Sequence, residues 1–458
     1  MHVDVLIVEI GSTTTIVSAF TDINGDAPRL AGQGMGLTTV SAGDVTIGMN
    51  NALEDLKRNT GAKELTWDLF MASSSAAGGL KMTVHGLVYD MTVKAAREAA
   101  LGAGAVLHFA TSGPVSGTDL RKVREINPSI ILLAGGVDYG EKKTIVENAR
   151  RLASLGLKAP VIYAGNVAAG DEVTDIFAES GIKCRAVDNV YPRIDELNID
   201  PTKTAIQDVF EEHITEAPGM ENIRSLVKGR IIPTPGAVFN AARLLYREIG
   251  DLMVVDVGGA TTDVHSVTEG SPEIREITVS PEPLAKRTVE GDLGLYVNAG
   301  VVLNRISQEL LKPVMGELDP REILDRKKVI PEKEEEFKLT GLLCREAVMT
   351  AVQRHSGRIR YSSAGLGRKA IIAEGRDLTR VRWIIGTGGA LVMLPFGSSL
   401  LAQIQGRRPG REMYPESAVI LIDKDYIMPA AGVLALTHPE AALRILKNSL
   451  GIDQGECL

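Results

Sequence analysis

Asp251–Val264, the stretch DLMVVDVGGATTDV, determines how the rest of this chain is interpreted. Its β-branched apolar run is typical of a buried strand, and the run ends in the acid Asp256. A Gly-Gly pair follows at once and demands a tight turn that another group can approach closely. Successive backbone N–H groups in such a turn form an anion-binding concavity, to which threonine hydroxyls can add hydrogen bonds. The candidate ligands in this turn are Gly258, Gly259, Ala260, Thr261 and Thr262.

A second copy of the pattern lies near the N-terminus, in the stretch VLIVEIGSTTTIV at residues 5–17. The alignment places Glu9 on Asp256, Gly11 on Gly258, Thr14 on Thr261 and Thr15 on Thr262. A single Gly-Gly turn is also compatible with a plain structural hairpin, because such turns are common in α/β folds. Two copies of one design favour a pair of turns that face each other and bind a phosphate chain from both sides. The candidate ligands in the first turn are Gly11, Ser12, Thr13, Thr14 and Thr15.

The paired turns resemble those of the actin-like ATPases, which include actin, the 70-kDa heat-shock chaperones and the sugar kinases. A third strand with a glycine turn, WIIGTGGA at residues 383–390, continues the resemblance. In that superfamily such a turn packs against the adenosine, which makes Gly386, Gly388 and Gly389 candidate nucleotide-binding residues. The resemblance implies an α/β protein with two ribonuclease H-like lobes around a cleft that binds ATP.

Composition and charge limit the classes of function. The chain has 458 residues, more than one hydrophobic core usually supports, so we expect two domains. A formal net charge of −8 gives no overall basic footprint, which argues against nucleic acid as the main partner. The sequence has neither a run of membrane-spanning length nor a signal-peptide pattern, so we expect no membrane. Cys184, Cys344 and Cys457 are scattered without metal-site spacing, and a reducing cytoplasm is the expected location.

The order of strand and helix patterns predicts the domains. We expect a first lobe at residues 1–249, a second lobe at 250–427, and a connector with a C-terminal helix that returns to the first lobe at 428–458. Residues 92–187 alternate between strand and helix patterns, which predicts an inserted block with its own parallel sheet. The glycines at residues 135–136 end a strand where open α/β sheets bind ligands, although a tight turn without a ligand fits as well.

Several further motifs narrow the resemblance to one family. Segments at residues 74–79, 133–138, 386–390 and 430–433, together with Lys81-Met82, look like those of the glutamate mutase L protein family. The resemblance covers nearly the whole chain. Proteins of that family accompany adenosylcobalamin-dependent mutases and are taken to be accessory or reactivating ATPases. The subunits of such a mutase are therefore the implied partners.

The resemblance also implies roles for the acids beside the two turns. Asp256 would hold Mg²⁺ through water, and Asp263 would orient or deprotonate the water that attacks the γ-phosphate. Glu9 is a second candidate metal ligand, although most relatives have aspartate there and the extra methylene moves this carboxylate outward. Mg²⁺ suits such oxygen ligands, because it keeps several waters and bridges phosphates. The sequence does not identify a lysine or arginine that would steady the γ-phosphate.

We therefore predict an ATP-binding, slowly hydrolysing accessory protein whose lobes change their affinity for a damaged mutase as the nucleotide changes. The block at residues 92–187 is a candidate docking surface, because a bare actin-like core does not need it. A small-molecule kinase would use the same cleft and is the main alternative. An iron–sulfur activator of radical dehydratases would need better placed cysteines, and an actin-like filament protein is a further alternative. The sequence leaves open which mutase is served and whether the chain forms a homodimer.

Overall fold

The computed structural model describes residues 1–40, 43–75, 81–214, 219–364, 368–406 and 411–452. The strands, in chain order, are β1 (His2–Ile10), β2 (Thr14–Thr21), β3 (Arg29–Leu37), β4 (Thr66–Ser74), β5 (Lys81–Gly86), β6 (Val106–Ser112), β7 (Ile130–Leu133), β8 (Val161–Tyr163), β9 (Cys184–Ala186), β10 (Ile231–Pro233), β11 (Leu252–Val257), β12 (Thr262–Val267), β13 (Ala285–Glu290), β14 (Arg358–Ala364), β15 (Arg368–Glu374), β16 (Trp383–Thr387) and β17 (Val419–Ile422).

The helices, in chain order, are α1 (Val45–Thr60), α2 (Lys94–Gly102), α3 (Gly117–Ile126), α4 (Lys143–Ala153), α5 (Gly170–Glu179), α6 (Asp200–Ile214), α7 (Met220–Leu226), α8 (Thr234–Ile249), α9 (Pro272–Arg275), α10 (Ala299–Leu303), α11 (Gln308–Met315), α12 (Pro320–Arg326), α13 (Glu334–His355), α14 (Gly389–Met393), α15 (Gly397–Ala402), α16 (Met428–Leu434) and α17 (Pro439–Leu450). None of these helices is long and apolar enough to cross a membrane.

The chain forms two compact units. The first unit comprises residues 1–38, 47–73 and 237–458, and the second comprises residues 39–46 and 74–236. Both glycine-rich hairpins lie in the first unit, and the block predicted at residues 92–187 lies within the second. The lobe boundaries at 249/250 and 427/428 do not coincide with these units and stay a prediction.

The first unit contains two sheets with the same strand order. In one sheet the strands of the first unit follow the order β4-β1-β2-β3, and β1, β2 and β3 are antiparallel neighbours. In the other the order is β13-β12-β11-β16-β17, again with three antiparallel strands, and with β16 and β17 parallel to β11. An antiparallel meander whose first strand is flanked by a later strand is the ribonuclease H-like arrangement. The actin-like α/β fold predicted from the sequence is confirmed.

The run that ends at Asp256 is apolar at nearly every position because helices cover both faces of its sheet. Met253 and Val255 pack on one side in a core that includes residues of α13. Leu252 and Val254 pack on the other side, in a core that includes residues of α8, α16 and α17. Burial on both faces therefore produces a continuous apolar run rather than an alternating one.

The second unit contains a parallel sheet with the strand order β6-β5-β7-β8-β9. This doubly wound arrangement confirms the predicted block of alternating strands and helices. Its first strand, β5, lies before residue 92 and was not predicted. The small residues before it obscure the strand pattern. Residues 76–80, which include most of the family motif at 74–79, lie outside the described residues.

Protein atoms surround the glycines at the end of β7. A Cβ on Gly136, whose φ is +73°, would lie 2.5 Å from the carbonyl oxygen of Glu141. A Cβ on Gly135 would lie 3.1 Å from Ile145 Cδ1. These contacts favour the interpretation of residues 135–136 as a tight turn without a ligand.

Candidate functional site

The two predicted turns have the same backbone geometry. The N–H of Gly11 donates to the carbonyl oxygen of Thr14 at 2.9 Å, and the N–H of Gly258 donates to that of Thr261 at 2.9 Å. These four residues are the ones that the sequence alignment pairs. Each turn closes an antiparallel hairpin, β1–β2 or β11–β12. The repeated design is therefore a structural repeat.

The tips of the two turns lie against each other. A Cβ on Gly259 would be 2.8 Å from Cγ2 and 2.9 Å from Oγ1 of Thr13. No side chain fits at residue 259 unless Thr13 moves. Ser12 is exposed, and Thr13 and Thr14 are half-buried, so these three residues of the first turn are accessible.

Three of the predicted threonine ligands form hydrogen bonds within the protein. Thr15 is buried and its Oγ1 lies 2.9 Å from Thr38 Oγ1. Thr262, at the aligned position, is also buried and donates to the carbonyl oxygen of Leu293 at 2.8 Å. Thr261 donates its hydroxyl to Asp263 Oδ2 at 2.9 Å. Direct phosphate contact by these three hydroxyls stays a prediction, and each would have to exchange its present partner.

The third predicted turn packs directly on the second. Gly388 has a φ of +87°, and a Cβ there would lie 2.4 Å from the carbonyl oxygen of Val257 and 2.7 Å from Asp256 Oδ1. Gly389 begins α14 and has open space where its Cβ would stand, whereas a Cβ on Gly386 would meet Leu401 and other core side chains. Gly388 and Gly389 therefore border the second turn, and Gly386 is part of the core.

Several carboxylates beside the two turns are close enough to repel one another. Burial raises the pKa of Glu9 to about 8, with further contributions from the charges of Asp256 and Asp423. Burial also raises the pKa of Asp256 to about 7, assisted by the charges of Asp263 and Asp423 and opposed by Arg287. Glu9 and Asp256 thus lie close enough to repel each other across the two hairpins. A bound cation would relieve this repulsion.

Asp263 has its own basic partner, which the sequence reading missed. Asp256 and Asp263 are directly opposite on β11 and β12. Arg287 on β13 donates to Asp263 Oδ1 at 2.9 Å, and both side chains are almost fully buried. With Thr261 on the other oxygen, the Asp263 carboxylate is fixed in place. Its role as the base that activates water stays a prediction.

Asp423 is a further acid that the sequence reading missed. It is fully buried at the end of β17 and accepts hydrogen bonds from Thr387 Oγ1 at 2.9 Å, from Met428 N–H at 2.9 Å and from Ser449 Oγ at 2.8 Å. These bonds connect β16, α16 and α17 behind the third turn. The sequence does contain a signal for Asp423, because residues 419–423 repeat the pattern of an apolar run that ends in an acid.

Tyr426 follows Asp423 and faces the same carboxylates. Its φ of 48° is left-handed. Burial raises its pKa well above the ordinary range, and the charges of Glu9, Asp256 and Asp423 add to this effect. The phenol is therefore protonated, and it offers a hydrogen-bond donor beside the acids of both hairpins.

The oxygen-rich donor set suits Mg²⁺ better than a metal bound by protein ligands alone. Among the described residues, the only three His, Cys, Asp or Glu side chains whose ligand atoms lie within 4.8 Å of one another are the surface residues His2, Asp4 and Asp68. Glu9 and Asp256 do not belong to such a tight group. Mg²⁺ fits such a pair of carboxylates, because it is commonly held by one or two carboxylates, several waters and the phosphates of a ligand.

The strand orders and the facing turns define an α/β protein of the actin-like class. The family described as MutL protein matches residues 5–450. Protein MutL of Clostridium tetanomorphum is 38% identical over 468 residues, covering 97% of this chain and 98% of that protein. The chain belongs to the MutL protein family, which confirms the predicted resemblance to the glutamate mutase L family.

Solved structures of lower similarity include two reactivating factors. The chain is similar to a glycerol dehydratase reactivase, with 10% identity, a TM-score of 0.32, and coverage of 94% of this chain and 99% of that one. It is also similar to the nucleotide-free diol dehydratase-reactivating factor, with 11% identity, a TM-score of 0.34, and coverage of 95% and 100%. For nucleotide-free acetone carboxylase the identity is 14%, the TM-score 0.42, and the coverage 94% and 70%.

Proposed function

We propose that this protein binds Mg²⁺–ATP between its two glycine turns, hydrolyses it slowly, and uses the nucleotide state to control its affinity for an adenosylcobalamin-dependent mutase. In this role it would be an accessory, reactivating protein that binds a mutase with a damaged cofactor. Membership of the MutL family supports the partner. The nucleotide is supported by the geometry of the turns.

The observation that carries the proposal is the pair of equivalent turns that face each other. Gly11 and Gly258 make the same backbone bond, and Gly259 lies against Thr13. Two such turns present backbone N–H groups and hydroxyls from opposite sides, which suits a chain of phosphates. A single phosphate or carboxylate would need only one of them.

Glu9 and Asp256 would hold Mg²⁺ through water, and the ion would neutralise charge on the phosphates. Mg²⁺ would also offset the burial and the neighbouring negative charges that raise the pKa values of both carboxyls. Asp263, held by Arg287 and Thr261, would orient the attacking water. Slow hydrolysis would suit a switch better than fast turnover.

The test is a titration of Mg²⁺-dependent ATP binding and hydrolysis, with and without a cobalamin mutase that has been inactivated in turnover. Asp256→Asn removes one charge at nearly constant shape. We expect it to weaken Mg²⁺–ATP binding by roughly tenfold or more, because hydrogen bonds to charged groups contribute substantially to binding. The inactivated mutase should stimulate hydrolysis by the wild type and not by this variant.

Asp68→Asn, a change of the same type at a carboxylate whose side chain is 71% exposed, serves as the matched control and should bind ATP normally. ATP binding that the mutase does not affect would contradict the accessory role and favour a small-molecule kinase. A wild type that binds no nucleotide would contradict the whole proposal.

A further inference from the structure

One segment of the first unit has a charge opposite to that of the whole chain. Residues 358–411 contain ten Arg or Lys and two Asp or Glu, a net charge of +8, whereas the chain as a whole carries −8. The remaining residues therefore carry −16. The exposed cations of this segment, which include Arg358, Arg360 and Arg411 but not the buried Arg376, favour an acidic partner.

The segment begins with a two-stranded antiparallel hairpin of β14 and β15. Tyr361 and Ile371 are direct cross-strand partners, so their side chains share one face, and they are 53% and 51% exposed. Large apolar side chains that are exposed on both strands of one hairpin face are costly to leave in water. A neighbour that covers them would recover this free energy.

An arginine is fixed over the same face. The guanidinium carbon of Arg411 lies 4.2 Å from the centre of the Tyr361 ring, a cation–π contact. The carbonyl oxygen of Arg411 accepts from Ile359 N–H at 3.0 Å, which attaches this residue to β14. Arg411 itself has a left-handed φ of 65°, a conformation that an arginine rarely adopts. The residues Tyr361, Ile371 and Arg411 are called the hairpin face below.

The opposite side of the hairpin is partly neutralised. Arg360 lies 3.2 Å from Glu374 through Nε and Oε2, and Arg358 is exposed beside them. On the hairpin face, Arg411 places a positive charge beside the exposed apolar area. Tyrosine and arginine are enriched in protein interfaces, where they supply much of the binding energy.

We propose that the hairpin face is the docking surface for an acidic, partly apolar patch on a partner protein, which under the proposed function is the mutase. Charge complementarity selects an acidic partner, and the exposed pair Tyr361 and Ile371 selects a protein surface, which offers apolar area, over a polyanion. The net charge of −16 on the rest of the chain opposes close approach of a nucleic acid.

The test measures binding of the purified adenosylcobalamin-dependent mutase to the full chain by calorimetry, with Mg²⁺ and either ATP or ADP. Tyr361→Ala, Ile371→Ser and Arg411→Glu should each weaken binding by roughly tenfold or more, as expected of central interface residues. Raising the salt concentration should weaken the wild type more than Arg411→Glu. ATP binding without the mutase should be unchanged in all three, because the hairpin face is outside the glycine turns.

Arg58→Glu reverses one charge at an arginine whose side chain is 69% exposed on α1, and it should leave mutase binding unchanged. The rival surface lies in the second unit, where Tyr139 is 83% exposed and the Arg193 side chain is 82% exposed. Loss of binding with Tyr139→Ala and Arg193→Glu, but not with the hairpin variants, would overturn the proposal and leave the accessory function standing.

Two other outcomes would also overturn the proposal. If the wild type binds a DNA duplex more tightly than the mutase, and the hairpin variants lose that binding, the hairpin face is a nucleic-acid site. If the wild type binds no mutase in any nucleotide state, the accessory function fails and the docking proposal fails with it.

Discussion

Gly388 shows how closely the third turn and the second are fitted together. Its φ of +87° and the 2.4 Å distance from a Cβ to the carbonyl oxygen of Val257 leave no room for any other residue. Its neighbour Gly389 has open space at the Cβ position and begins α14. Glycine is therefore required at position 388 for steric reasons, whereas position 389 has room for a larger residue.

We predict that Gly388→Ala destabilises the protein by roughly 1–3 kcal/mol or more, the range typical of strained backbone, and reduces ATP affinity. Gly389→Ala should leave both properties nearly unchanged. Urea unfolding and ATP titration of the two variants check this. Equal stability of the two variants would contradict the steric argument.

The buried ion pair of Arg287 and Asp263 leads to a second prediction about single residues. Arg287→Met leaves a buried carboxylate without its cation, and should reduce the free energy of unfolding by about 3–5 kcal/mol. Asp263→Asn in the same chain should recover part of the loss, because the unpaired charge is then removed. As a control, Arg150→Met breaks an exposed pair with Glu172 and should cost less than about 1 kcal/mol.

The raised pKa values of Glu9 and Asp256 predict how stability depends on pH. Their ordinary values are 4.5 and 3.8, and in the folded protein they rise to about 8 and about 7. Between these limits each carboxyl binds more protons in the folded state than in the unfolded state, so its contribution to stability falls as the pH rises. The buried histidines His85, His265 and His355 contribute in the opposite direction, because burial lowers their pKa values. Without Mg²⁺ and nucleotide, the wild type should therefore lose stability relative to Glu9→Gln between about pH 5 and about pH 8.

Urea unfolding across this pH range checks the prediction. The difference in stability between the wild type and Glu9→Gln should decrease as the pH rises, since the glutamine side chain has no proton to lose and the histidine contributions cancel. A difference that stays constant or rises over this range would show that Glu9 is already ionised at low pH in the folded state.

Residues of the site were predictable from sequence only where they belong to a local pattern. The glycines and acids of the two hairpins lie within a dozen residues of one another, so alignment finds them. Arg287 reaches Asp263 from a strand that begins over twenty residues later, and nothing local marks it. Asp423 did carry a local mark, an apolar run before an acid, but no glycine turn follows it.

At the scale of elements, α16 and α8 cross in close contact. A Cβ on Gly432 would lie 1.8 Å from the carbonyl oxygen of Ala237, so the small residues of α16 allow the backbones to touch. The close packing of α16 and α8 therefore depends on the absence of large side chains from α16.

We predict that Gly432→Ala separates α16 from α8 and costs several kcal/mol, more than ordinary overpacking of a core. Gly300→Ala in α10 is the matched control. Its Cβ would make only an ordinary contact, 3.9 Å from Leu324 Cδ2, and alanine favours a helix over glycine. Thermal unfolding should show a lower midpoint for the first variant and an equal or higher midpoint for the second.

Elements with a clear period were predictable, and elements without one were not. The strands and helices between residues 105 and 187 were found because apolar strands and amphipathic helices alternate there. The hairpin of β14 and β15 was missed because its alternation is short. Residues 358–361 alternate basic and apolar side chains over only four positions before two serines follow. The apolar face that results, with Tyr361 and Ile371, is exposed rather than buried.

For the whole molecule, the second unit has a sheet and core of its own. All five strands from β5 to β9 pair within it, and the side of the sheet facing α4 and α5 has a buried apolar cluster that includes Leu133 and Phe177. We therefore predict that a fragment of residues 74–236 folds without the rest of the chain. A single cooperative unfolding transition with native helix content would confirm this. A gradual transition would show that the unit depends on residues outside the fragment.

The repeated strand order has an evolutionary consequence. Two sheets with one topology and one turn are what duplication and fusion of a half-length gene would leave, and the ancestor would have been a twofold-symmetric dimer. In such an ancestor both turns were identical. Today Ile16 stands opposite Glu9 in one copy, while Asp263 stands opposite Asp256 in the other. The two hairpins now differ, because one has a single acid and the other has an acid pair with its own arginine.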